Sequence, residues 1–449
     1  MIDKKKIIFF LVFIILNNCS FDKKTGIWDG SKDEERKISE LEKKQRQIID
    51  IYKIYSSENI YEKKKILTES IILSESKKNL SWKMSGLNHQ NFLGNIYLTG
   101  IDNIFLKKKI GKNKFSIYKI NTSLLSINNN LIFSDDVGTI FNINENGKVY
   151  WKKNIYKNIY KKIYKNLSFS VYKNVIYVAD NVGFIYAINL NSGKLIWIKN
   201  HGIPLRSNVK IFDDKIFLID QENKIFCLNL TDGSKIWNIH SISSFIKSQS
   251  LMSLALSKKG ELIVINSSGD LFKIKSDDGE VYWATNISGS LYSDASDFFQ
   301  SSDIVITEQE IFFSSNSSIF SYDLNNGSVN WENNVNSVDA PIISGKNIFF
   351  VTENGYFVIL NKNTGKIISS TNILTILKKR NQKTKITGFI MGSGKLYSVT
   401  LNGNLIVSSA TSGKAEYFKK IGDPIISSPI ISNGKLYILT ENSRIFGFN

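Results

Sequence analysis

The sequence predicts an all-β protein folded as an eight-bladed β-propeller, and three observations point there. A strand–turn–strand unit recurs seven times, each with an aromatic-rich strand, a turn ending in Gly and, four positions later, usually a tryptophan. The copies are spaced like propeller blades. The chain then ends on an eighth copy that stops before its turn.

The clearest copy reads Phe184-Ile-Tyr-Ala-Ile-Asn-Leu-Asn-Ser-Gly193-Lys-Leu-Ile-Trp197. Aligned on the turn glycine, the copies fall at Gly147, Gly193, Gly233, Gly279, Gly327, Gly365 and Gly413, which are 46, 40, 46, 48, 38 and 48 residues apart. Four residues on stand Trp151, Trp197, Trp237, Trp283 and Trp331, then Ser369 and Tyr417. Phe184, Tyr186 and Ile188 point to one face of their strand, Ile185 and Ala187 to the other. Apolar residues on both faces suit a strand covered on each side by a neighbouring blade. The turn glycines supply the positive φ of a tight hairpin. A second glycine ten residues earlier (Gly183, Gly269, Gly355 and Gly403) suggests close backbone approach. The recurrent indole reads as a plate that one blade lays against the next, its N–H aimed at a backbone acceptor.

The last copy, residues 434–449, lacks an outer strand. Residues 80–83 carry an otherwise unassigned tryptophan, Trp82, and are expected to supply that strand beside residues 443–448, closing the ring and removing its edge. The expected organisation is a signal peptide over 1–18, a linker over 19–79 and a propeller over 80–449.

The net charge is +18, unevenly placed: residues 80–165 hold 14 lysines and 4 acids. The block ends in a stretch of interleaved lysine and tyrosine over residues 152–165, read as an exposed connection between blades rather than a binding patch. A basic start followed by ten apolar residues, Ile7 to Leu16, is too short to cross a bilayer and fits a secretory signal. Cys19, just past that core, resembles the lipid-bearing cysteine of bacterial lipoproteins, although Asn18 stands where a small residue is usual. Ser20 follows it, which by that resemblance directs the protein to the outer membrane. With Cys19 lipidated, Cys227 is the only other cysteine, so no intramolecular disulfide forms; Cys227 reads as a small buried packing residue. Export argues against a nucleic-acid partner. Ile38, Leu41, Gln45, Ile48, Tyr52 and Tyr55 form one amphipathic helical stripe in the linker.

No catalytic constellation stands out. His89, His201 and His240 lack metal-ligand spacing, and there is no phosphate loop or nucleophile motif. No metal or cofactor is expected from these residues.

The blade motif resembles the repeat of quinoprotein dehydrogenases that bind pyrroloquinoline quinone and calcium, which would make the chain a periplasmic oxidoreductase. Those enzymes commonly carry a vicinal cysteine pair, and no two cysteines adjoin here. With its export signal, its eight blades and the entry segment Trp82-Lys-Met-Ser-Gly-Leu-Asn-His89, the chain resembles more closely the BamB family of lipoproteins. That resemblance implies a non-catalytic scaffold, monomeric within a hetero-complex and lipid-anchored on the periplasmic face of the outer membrane. It further implies binding to BamA and other barrel-assembly subunits through a Leu-x-Leu-Arg loop, here Ile203-Pro204-Leu205-Arg206. Ile203, Leu205 and Arg206 suit a protein-binding tip; alternatively they begin the inner strand of the next blade. The family's acidic pair is missing from the connection over residues 247–252. The remaining alternative is a propeller that binds another envelope partner.

Overall fold

A computed structural model describes residues 61, 69–115, 124–160, 162–241, 251–287, 299–315 and 317–449. Cys19, the helical stripe of residues 38–55 and residues 247–250 lie outside them. Strands β1–β32 form eight four-stranded antiparallel sheets arranged as a β-propeller. Blades 1 to 7 span residues 125–153 (β2–β5), 167–200 (β6–β9), 210–240 (β10–β13), 253–286 (β14–β17), 305–333 (β18–β21), 342–372 (β22–β25) and 386–420 (β26–β29). Blade 8 combines 430–448 (β30–β32) with β1, Ile104–Lys109. The third strand of each blade is buried on both faces, as in β8, Phe184–Asn189, where the four residues from Ile185 to Ile188 are all buried.

The repeat motif works as a contact between blades. Trp151 Nε1 donates to the carbonyl of Leu190 (2.8 Å), Trp197 to Leu230 (3.2 Å), Trp237 to Ser276 (2.9 Å), Trp283 to Leu324 (3.2 Å) and Trp331 to Lys362 (2.8 Å). Each acceptor lies three residues before the turn glycine of the following blade. The indole also covers that glycine: a Cβ on Gly193 would stand 2.7 Å from the ring of Trp151, and one on Gly233 2.7 Å from that of Trp197. The glycine is therefore required twice, for its positive φ (+67° at Gly193) and for the space the preceding tryptophan fills. In blade 7 a Cβ on Gly413 would meet Ser369 Oγ at 3.0 Å instead.

A strand from the N-terminal side closes the ring, but it is not the segment around Trp82. β1 pairs with β32, Arg444–Phe448, with Lys109 opposite Arg444, Lys108 opposite Ile445 and Leu106 opposite Gly447. Leu106 occupies the tryptophan position of this blade, since Trp197 stands opposite Ala187 in the same register. A Cβ on Gly147 would meet the side chains of Lys108 and Leu106. The seat over a turn glycine thus accepts any plate of adequate length, so a lone tryptophan does not mark the closing strand. Trp82 pairs instead with Ser126 on the inner strand of blade 1 and is only 5% exposed.

The segment containing Trp82 runs around the axis and meets every blade. The N–H of Ser74 donates to Ser344 Oγ of blade 6 (3.0 Å), and that of Trp82 to Ser126 of blade 1 (2.6 Å). The carbonyls of Lys83, His89 and Gln90 accept from Val171, Leu256 and Ile306 of blades 2, 4 and 5. Ile96 accepts from Ser393 of blade 7, and Thr99 donates to Gly434 of blade 8. Blade 3 takes part through Lys210, whose Nζ donates to the carbonyls of Ser85 (2.6 Å) and Asn88 (3.1 Å). Gly86 and Leu87 both have φ near +72°, and Asn88 Oδ1 accepts from the N–H groups of Gln90 (3.0 Å) and Phe92 (3.1 Å), which holds the turn compact.

Candidate functional site

Two of the places in the ring that combine polar side chains with open space bear on function. The first is axial, a cavity of about 260 Å³. Trp82, Ser85, Gly86 and Asn91 of the N-terminal segment line it, together with Asn208, Asp303, Asp339 and Ser428 from the connections that enter blades 3, 5, 6 and 8. Asp303 accepts from Asn208 Nδ2 (3.3 Å) and Ser253 Oγ (3.4 Å), and burial raises its pKa, opposed by the charge of Lys210. Asp339 accepts from Ser428 Oγ and from the N–H of Ala340 (2.7 Å), and burial pushes its carboxyl up to about 6. Lys210 is fully buried, and besides the two carbonyls its Nζ donates to Asn91 Oδ1. Three acceptors match the three donors of an ammonium, although burial pulls its pKa down to about 8. Asn91 in turn donates to the carbonyl of Ile304 (2.7 Å), so the segment is pinned from both sides.

None of these axial residues belongs to the repeat motif, and aligning the copies passes over them. The available signal was a lysine inside an apolar strand, Val209-Lys210-Ile211-Phe212.

The second place is the loop carrying Ile203, Leu205 and Arg206. Leu205 is 4% exposed, pairs with Asp220 and packs in the core between blades 2 and 3. Arg206 is 7% exposed, and its guanidinium donates to the carbonyl of Leu205 (3.3 Å) and to Gln221 Oε1 (3.4 Å). The expectation of an exposed tip is corrected for both residues: the alternation of the strand turns Leu205 inward, and Arg206 lies against its own backbone. Ile203 remains partly exposed. Beside it opens a cleft of about 730 Å³ lined by Leu205, Arg206 and Asn208, with Lys162, Ile163 and Tyr164 from the connection after blade 1. That connection is not uniformly exposed, because Lys165 is buried and its Nζ donates to the carbonyls of Tyr160 and Ile163.

Cys227 is fully buried, and burial pushes its thiol up to about 12, which makes it unreactive. Among the described residues no three His, Cys, Asp or Glu side chains converge as metal ligands. Nor does the axial cavity suit pyrroloquinoline quinone, a tricarboxylate. It offers the carboxyls of Asp303 and Asp339, while the nearby ammonium, Lys210, is committed to the chain's own segment.

Eight blades, five of them locked to the next by an indole over a glycine, around an axis that the chain itself occupies, define a propeller built on the quinoprotein repeat and suited to a scaffold. Within that class the chain belongs to the family described as outer membrane protein assembly factor BamB, whose sequence model matches residues 136–371. No curated protein sequence matches the chain. Among solved structures it is similar to BamB from Moraxella catarrhalis, with a TM-score of 0.61 at 11% identity over 77% of this chain and 100% of that one. It is also similar to the quinohemoprotein alcohol dehydrogenase of Comamonas testosteroni, with a TM-score of 0.60 at 10% identity over 83% and 81%. A third is the corresponding enzyme ADHIIG of Pseudomonas putida HK5, with a TM-score of 0.59 at 8% identity over 82% and 77%. At such identities these likenesses describe the fold alone.

Proposed function

We propose that the protein is a non-catalytic scaffold of the machinery that assembles β-barrels in the outer membrane. It binds BamA, lies on the periplasmic side, and is anchored through a lipid on Cys19. The observation that carries this reading is the family match over residues 136–371. The axial contacts support it, because a segment hydrogen-bonded to successive blades leaves a small cavity where an enzyme of this fold would need its cofactor. The contact with BamA uses Ile203 and the mouth of the adjacent cleft, with Arg206 setting the shape of the loop from within. Ile203→Asp is expected to lower recovery of BamA about tenfold, the scale of one lost apolar anchor, with the melting temperature unchanged. Unaltered recovery would remove this loop from the contact. Arg206→Glu is a poorer test, since it buries a carboxylate where a guanidinium had partners.

A further inference from the structure

The outermost strands of the ring are strongly asymmetric in charge. β1, β5 (Val149–Lys153) and β9 (Leu195–Asn200), the outer strands of blades 8, 1 and 2, carry six lysines and no carboxylate. β17 (Val281–Asn286), β21 (Val329–Asn333) and β25 (Ile367–Asn372), the outer strands of blades 4, 5 and 6 directly across the ring, carry no lysine and one glutamate. Some lysines elsewhere on the surface meet carboxylates, in Lys258–Glu308, Lys275–Asp278, Lys385–Glu353 and Lys395–Glu416. The six on blades 8, 1 and 2 form no ion pair within 4 Å among the described residues; Lys107 lies over the Phe446 ring instead. Apolar side chains stand exposed between them, with Tyr150 56% exposed and Ile196 51%. Ile196 is the extra residue of the bulge in β9, which turns it outward.

We propose that the rim formed by blades 8, 1 and 2 is a docking surface for an anionic lipid bilayer. Unpaired lysines beside exposed aromatic and branched side chains are the composition that adheres to a charged headgroup layer. The cations are drawn to the phosphates, and the apolar groups enter the boundary beneath them. The lysines extend along the outer strands of three successive blades; Lys199 lines a cleft beside Ile203, and the other five are spread along the rim. A headgroup layer that yields around the rim reaches lysines on all three blades, whereas a single acidic loop of a protein reaches few of them. The closing strand has a second role here: β1 delivers three of the six lysines, so the strand that completes the ring also sets its charged side. A ring resting on this rim stands edge-on to the membrane, with the loop of Ile203 beside Lys199 at one end of the rim. The proposal stands apart from the BamA contact, and either can fail without the other.

The test is sedimentation of the full chain with vesicles of phosphatidylcholine alone, or of phosphatidylcholine mixed with phosphatidylglycerol. Any lipid anchor is common to all the variants and cancels in the comparison. The full chain is expected to prefer the anionic vesicles at least about tenfold at physiological salt, and to lose that preference as salt rises. Lys107→Gln, Lys108→Gln, Lys109→Gln and Lys152→Gln combined are expected to abolish it. The same number of changes at Lys258, Lys275, Lys385 and Lys395 is expected to leave it intact. Tyr150→Ser with Ile196→Ser is expected to weaken binding to the anionic vesicles severalfold, which keeps the test open if the lysine variant fails to fold. Equal binding to both vesicles would overturn the proposal. So would equal losses in the two lysine sets, since net charge alone would then account for binding.

Discussion

Replacing Trp237 by alanine tests the contact that holds the blades together. Trp237 is almost completely buried, stacks on Gly279 of the next blade and donates to the Ser276 carbonyl at 2.9 Å. Truncating a buried aromatic costs about 3–5 kcal/mol, of which the lost hydrogen bond is about 1 kcal/mol. Trp237→Phe keeps most of the apolar area and is expected to cost much less than the alanine change. Gly279→Ala disturbs the same contact from the other side: φ there is +83°, and the new Cβ would stand 3.0 Å from the indole. The backbone contribution alone is about 1–2 kcal/mol. With Trp237 already alanine, the steric part of that cost disappears, so the double variant is expected to lose less than the sum of the singles. Urea unfolding followed by circular dichroism, with midpoints compared at constant slope, measures each term. Strict additivity, or a cost below about 1 kcal/mol for Trp237→Ala, would refute the claim that the indole and the glycine form one contact.

Two further predictions concern the axis. The carboxyl of Asp339 is held near 6 against 3.8 in its ordinary range, so the native state keeps a proton that the unfolded chain loses between those values. Its favourable contribution is present below about 4 and is lost as pH rises through about 6. Asp339→Asn is therefore expected to stabilise the ring at neutral pH by about 1–3 kcal/mol and to flatten the pH dependence of the melting temperature between 4 and 6. A variant no more stable than the parent at pH 7 would contradict this. Lys210→Met removes three donors from Ser85, Asn88 and Asn91, which leaves buried acceptors unsatisfied at a cost of about 3 kcal/mol. Hydrogen exchange is expected to quicken at residues 82–98 before the outer strands change; uniform quickening across the blades would show that the segment is not a separate unit.

The blade count was legible because the copies share the same local chemistry, a glycine that must adopt positive φ and, in most, a plate four residues later. The closing strand was harder to read. The stretch from Ile104 to Lys109 has no tryptophan, and only its register opposite Gly447 puts Leu106 in that place. Trp82 misled for the converse reason: an indole outside the repeat register obeys other constraints, here burial against Ser126. The loop from Ile203 to Arg206 admitted both a binding tip and a strand start, and only the packing of Leu205 between two blades separates them. Apart from Lys210 the axial residues were illegible, since Asp303 and Asp339 lie in connections before blades 5 and 6 that only the closed ring brings together.

The most direct measurement of the proposed role is affinity capture of the full chain from mildly solubilised outer membranes of its own host, with the co-purifying proteins identified by mass spectrometry. BamA is expected among them in near-stoichiometric amount, and the Ile203→Asp variant is expected to reduce it while recovering equal amounts of the ring. Repeated capture of the folded protein without BamA, or with another envelope protein in its place, would contradict the account.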